Sequence, residues 1–102
     1  MTDTRLLLLS PDDNVFVLRG AIDAGEVVAL ETGQATVPAR LGLGHKIARR
    51  AIAAGEKIVK YGAPIGSATV AIPAGAHVHI HNVKSDYTPT YALAGTSEEV
   101  PR

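Results

Sequence analysis

The feature that most constrains this chain is a phrase it uses three times. Ile22-Asp23-Ala24-Gly25-Glu26-Val27-Val28, Ile52-Ala53-Ala54-Gly55-Glu56-Lys57-Ile58 and Ile72-Pro73-Ala74-Gly75-Ala76-His77-Val78 all have the form Ile-x-Ala-Gly-x-x-(Val/Ile). In each, an apolar residue ends one extended segment, glycine turns the chain, and a β-branched residue opens the next. Glycine accepts the positive φ that tight turns often need. The unequal spacing of the copies does not make a solenoid. It points to one compact β unit whose corners reuse one design. These glycines fit no phosphate-loop or dinucleotide pattern, so they read as architectural.

Between the corners, Val- and Ile-rich stretches predict short strands at 5–9, 15–19, 27–30, 35–37, 57–61, 67–72 and 77–83. Ser10-Pro11-Asp12-Asp13-Asn14 is a turn, and residues 38–44 read as loop. Residues 45–54 contain neither Pro nor Gly. They suit a short helix by propensity, or an extended segment with His45 and Ile47 on one side. The fold class is therefore mostly β, with a single domain at 1–85 and a polar C-terminal tail at 86–102 that is either flexible or docked on a partner.

A chain of 102 residues makes one domain with one modest core. It cannot also wall off a deep active site, so a catalytic cleft would need a partner surface. Ten basic and ten acidic residues balance, which excludes a basic nucleic-acid footprint and leaves homo-oligomer formation open. The local patch Lys46, Arg49, Arg50 has no aromatic interleaving and reads as a solvated face. With no cysteine there is no disulfide framework and no thiolate chemistry. The apolar run at 6–9 is too short for a signal core or a membrane span. The expectation is a cytoplasmic chain without membrane contact.

The candidate chemistry lies in histidine, lysine and tyrosine. His77, His79 and His81 alternate with Val78 and Ile80, so on a strand the imidazoles share one face and the aliphatic groups the other. Imidazole is a common ligand of zinc and ferrous iron. Neighbours two apart on a flat strand sit about 6.5 Å apart, so two converging, with ligands from elsewhere, is more plausible than three. The spacing equally suits exposed or hydrogen-bonded histidines. His45 follows a glycine-rich loop, which suits either a ligand contact or a solvated residue. Lys60 can hold an anionic group. Tyr61 can donate a phenolic proton or fill the core. No paired carboxylates and no nucleophile context are present.

Three blocks in order carry a resemblance: Gly44-His45-Lys46-Ile47-Ala48, then Ile58-Val59-Lys60-Tyr61-Gly62-Ala63-Pro64-Ile65-Gly66, then His77-Val78-His79-Ile80-His81-Asn82. The chain resembles the small N-terminal SAF domain, or separate small subunit, of the altronate/galactarate dehydratase family. Sulfolactate sulfo-lyase small subunits are similar. The resemblance implies a β-clip fold and an extended rather than helical segment at 45–54. It implies a lyase role, the loss of water or sulfite from a small hydroxy acid, exercised together with a large catalytic dehydratase subunit. It also implies a divalent metal, Fe(2+) first, bound mainly by that subunit. By motif, His45, His79 and His81 are the catalytic candidates, with His79 and His81 also the metal candidates. Lys46, Lys60, Tyr61 and Asn82 are the substrate-binding candidates, with Lys60 near the substrate carboxylate. Ala48-Arg49-Arg50 departs from the family, whose members more often continue with Ala-Leu and an acidic or polar residue, and makes this neighbourhood more basic. β-Elimination needs a base, an acid or metal at the leaving group, and a cation at the carboxylate. One open strand face cannot supply all three, which again points to a partner. The alternatives are a stand-alone module binding a carbohydrate acid or metal, and a purely structural β-clip domain.

Overall fold

Each repeated phrase folds as a type II corner. In the computed structural model, which describes residues 2–85, the carbonyls of Asp23, Ala53 and Pro73 accept hydrogen bonds from the amides three residues on, at 3.2, 3.0 and 3.1 Å. Gly25, Gly55 and Gly75 take the third position with φ of 87, 85 and 81°, the left-handed conformation this turn requires there. The amides of these three glycines donate to the carbonyls of Val37, Ala68 and Ala48, each at 2.7 Å. In the first two corners the glutamate after the glycine also closes the turn. Glu26 accepts from the Asp23 amide and Glu56 from the Ala53 amide.

Residues 38–44, expected to be plain loop, lead into a fourth corner. In Leu41-Gly42-Leu43-Gly44-His45-Lys46-Ile47 the Gly42 carbonyl accepts from the His45 amide, Gly44 has φ 86°, and its amide donates to the Leu18 carbonyl at 2.8 Å. Leu41 and Leu43 replace the isoleucine and alanine of the phrase, which hides it in the sequence. His45 stands where two other corners carry their turn-closing glutamate. The corners interlock in pairs: Ile22 and Leu41 exchange two backbone hydrogen bonds of 2.9 Å, and Ile52 and Ile72 two of 2.8 Å.

Nine strands join these corners among the described residues: β1 (Leu6–Leu7), β2 (Val15–Leu18), β3 (Val27–Ala29), β4 (Gln34–Thr36), β5 (Lys46–Ala48), β6 (Lys57–Lys60), β7 (Ala63–Ala68), β8 (His77–Val78) and β9 (Val83–Lys84). They form an antiparallel sheet in the order β1-β2-β5-β8, a β3-β4 hairpin and a β6-β7-β9 sheet. The described residues contain no helix, so the extended option at 45–54 holds. This all-β, helix-free architecture of short sheets is that of a SAF-like β-clip. The expected tail at 86–102 lies outside the described residues.

Period-2 alternation on β2 and β5 divides the core. Phe16, Leu18 and Ile47 face a cluster with Leu6, Ile22, Val28, Leu30, Val37 and Leu41. Val15 and Ala48 face the other, with Ile52, Ile58, Ala68, Ile72 and Val78. The central strand pair is thus covered on both faces. Asn14, buried at the start of β2, holds β6 by accepting from the Val59 amide and donating to the Lys57 carbonyl, both at 2.8 Å.

The corners differ in packing, and this separates two costs. A Cβ at Gly55 would meet nothing within 4 Å, whereas one at Gly75 would lie 2.2 Å from the Ala35 Cβ. Gly55→Ala should therefore cost only left-handed strain, about 1–2 kcal/mol. Gly75→Ala should add about 1–3 kcal/mol of overpacking. Urea midpoints should fall in the order wild type, Gly55→Ala, Gly75→Ala; equal losses would contradict the packing of the third corner on β4.

Candidate functional site

The β5–β8 ladder positions the histidines. Its register pairs Lys46 with Val78 and Ile47 with His77. Continued by one residue, it sets His45 opposite His79. Ile47 and His77 share a face, and alternation puts His45 on that face too. Three imidazoles therefore gather at one end of the ladder. The ligand nitrogens of His45, His77 and His79 lie within 4.8 Å of one another. His45 Nδ1 is 2.9 Å from His77 Nε2, close enough for one ring to donate to the other. The His77 and His79 rings stack at 5.3 Å, and the His45 ring lies 5.0 and 5.6 Å from them. This cluster can hold a metal ion, because imidazole nitrogens suit borderline divalent metals.

A straight strand at 77–83 does not form. β8 stops at Val78, and Asn82 closes a turn behind it. Its Oδ1 accepts from the His79 amide at 3.0 Å, and its Nδ2 donates to the His77 carbonyl at 2.8 Å. The Asn82 amide also donates to the His79 carbonyl at 3.0 Å. Asn82 is buried, and both ends of its side chain are engaged by this turn. The two aliphatic residues then part company: Val78 is in the core, but Ile80 is 84% exposed at the turn. His81 sits beside His77, with ring centres 5.4 Å apart, outside the group of three. In the sequence His77 stands with His79 and His81 on one face of imidazoles, but the motif gives it no role. Its signal was the shared face with His79, which the cross-strand His45 completes.

On the other face of β5, Lys46 lines a cleft of about 240 Å³ with Ile65, His79, Ile80, Val83 and Ser85. Ile65 is there because of a bulge: Ile58 pairs with Gly66 and Val59 with Pro64, leaving Ile65 without an opposite, which turns its side chain. Burial first, and the Lys60 charge second, pull the Lys46 ammonium below the ordinary lysine range. Among the described residues neither lysine forms an ion pair. Lys60 precedes the two-residue turn Tyr61-Gly62, whose φ values of 55 and 76° are those of a type I′ hairpin. The buried Asp13 carboxylate holds this turn, accepting from the Tyr61 and Gly62 amides at 2.8 Å and from the Ser10 amide at 3.1 Å. The Tyr61 ring is exposed, so it does not supply core bulk.

The basic patch expected at Lys46, Arg49 and Arg50 is divided. Arg49 pairs with Glu31 and donates to the carbonyls of Pro11 and Asp13, and Arg50 pairs with Glu56. The Arg50 guanidinium, helped by the Ala53 amide, holds the Glu56 carboxyl down to about 2. Both arginines are matched by carboxylates, and only Lys46 lines the cleft beside His79.

This chain belongs to the family of altronate/galactarate dehydratase SAF domains, whose sequence pattern matches residues 4–86. It is similar to the altronate dehydratase of Escherichia coli K12, 39% identical over 74 residues that make up 72% of this chain and 15% of that enzyme. It is similar to the altronate dehydratase of Bacillus subtilis 168, 37% identical over 87 residues, 78% of this chain and 18% of that enzyme. It is also similar to (2R)-sulfolactate sulfo-lyase subunit alpha of Chromohalobacter salexigens, 36% identical over 87 residues, 69% of this chain and 93% of that subunit. The chain thus spans less than a fifth of the two altronate dehydratases and most of the sulfo-lyase subunit.

Within the cluster, burial and then the charges of His45, His79, His81 and Lys46 push the His77 imidazole down to about 4. Folded His77 is therefore neutral at pH 7. The unfolded chain takes up this proton near 6.5, and the metal-free folded chain does so only near 4. Stability contributed by this group is present above 6.5 and falls as pH drops towards 4. NMR titration of the metal-free chain should show the His77 ring protonating only near 4, and His77→Asn should flatten the stability slope in that window. A His77 midpoint near 6.5 would contradict the packing described.

Proposed function

We propose that this domain is the accessory part of a hydroxy-acid lyase of the dehydratase or sulfo-lyase kind, forming one wall of a cleft that a large catalytic subunit completes. The observation that carries the reading is the juxtaposition, at the end of one short ladder, of a histidine cluster with Lys46, which lines the cleft beside His79 and has no carboxylate partner among the described residues. Family membership supplies the reaction class: the relatives are named for dehydrating altronate and for cleaving sulfolactate.

Lys46 and Lys60 suit the substrate carboxylate, since two ammonium groups near one cleft favour an anion. The exposed His79 borders both the cluster and the cleft, so its imidazole is placed to accept or return a proton. His45 and His77 hold it from behind. When bound, a divalent ion such as Fe(2+) would supply Lewis acidity at the leaving group, a hydroxyl in a dehydration or a sulfonate in a sulfo-lyase reaction. The wall is open, and elimination needs water excluded. Leu43 and Ile80, 71% and 84% exposed, lie in the turns at the same end of the ladder as the cluster. Apolar tips beside a polar cluster suit a surface that a partner covers.

The test mixes the chain with a large dehydratase or sulfo-lyase subunit and Fe(2+), then screens sugar acids and sulfolactate for elimination. Turnover should require both chains. Lys60→Met should raise KM by roughly 10- to 100-fold, the loss expected for a hydrogen bond to a charged group, with a smaller change in kcat. Full turnover by the large subunit alone would end the co-catalytic reading.

A further inference from the structure

We infer that this chain alone carries a divalent transition-metal site made by His45, His77 and His79, with His81 outside it. The ligands come from two elements fixed by one register: His45 from the fourth corner, His77 from β8 and His79 from the turn behind it. Tetrahedral ligation at about 2.0–2.1 Å sets neighbouring imidazole nitrogens about 3.4 Å apart. His45 Nδ1 and His77 Nε2 stand at 2.9 Å, and all three ligand atoms fall within 4.8 Å. The spacing that ligation requires thus lies between the shortest observed separation and that limit.

The backbone under the site is fixed. Asn82 engages both the His77 carbonyl and the His79 amide, and the His45 amide is held in its own corner by Gly42. A site whose ligands sit on a ladder end and two closed turns is pre-organised. The donor set also selects the metal. Three nitrogens and no carboxylate suit Zn(2+), Co(2+) or Fe(2+). They do not suit Mg(2+) or Ca(2+), which demand oxygen ligands. Three protein ligands leave at least one position open, as in catalytic rather than structural zinc sites. His79 also lines the cleft that holds Lys46, so an anionic oxygen bound there is a suitable further ligand.

The test uses the untagged full chain, titrated with Co(2+) and Zn(2+) and read by visible absorption and calorimetry. One equivalent should bind, with the d–d spectrum of a low-coordinate nitrogen site, and Mg(2+) should not compete. His45→Ala, His77→Ala and His79→Ala should each weaken Zn(2+) binding by at least about 100-fold, the upper end of the loss from disturbing an outer-shell partner, while His81→Ala should weaken it by less than about 10-fold, the lower end of that range. Circular dichroism confirms that each variant folds, and the exposed His79 is the variant least coupled to the core. No saturable binding, or equal losses at His81 and His79, would overturn the site. Such a failure is separable from the lyase reading, because activity reconstituted with the large subunit would then still stand.

Discussion

Two rungs of backbone pairing, Lys46 to Val78 and Ile47 to His77, hold together what matters in this domain. They join the middle of the chain to its later part and bury Ile47 and Val78 in opposite core clusters. At their end they set His45 across from His79. A slip of one residue would carry each side chain to the other face, expelling Val78 from the core and the histidines from each other. Core packing and cluster geometry are therefore specified by the same register, and hydrophobic burial on both faces of β5 enforces it.

The corners make such short strands sufficient. A ladder of two or three residues is marginal alone. Here β3, β5, β6 and β8 are each entered through a turn that ties its glycine amide to a neighbouring segment, and paired corners lock the turns to each other. Glutamate closes two of these turns with its own carboxylate. His45 occupies the same place in its corner, so a position used elsewhere for architecture becomes available for chemistry.

Much of this was legible in the sequence. The repeated Ile-x-Ala-Gly phrase announced the corners, and β-branched runs marked most strands. The three motif blocks named the family and directed attention to His45, Lys46, Lys60 and the later histidines. Two things were hidden. The fourth corner lacks the phrase's isoleucine and alanine, so it read as loop. The histidine strand looked straight because alternation is all a sequence shows. The bend depends on Asn82 folding back on the backbone of His77 and His79, a contact no periodicity reveals. Which histidine nitrogens meet is likewise a cross-strand property, set by register. The same holds for Asp13, which looked like an ordinary turn residue yet buries its carboxylate beneath the Tyr61-Gly62 hairpin.

The central claim is that folding alone assembles His45, His77 and His79, before any metal or partner arrives. Contacts between their ring protons test it most directly, measured by nuclear Overhauser spectroscopy on the metal-free, histidine-labelled chain. With ring centres 5.0 and 5.6 Å apart, His45 should show cross-peaks to both His77 and His79. Cross-peaks confined to His77, His79 and His81, with none to His45, would contradict it.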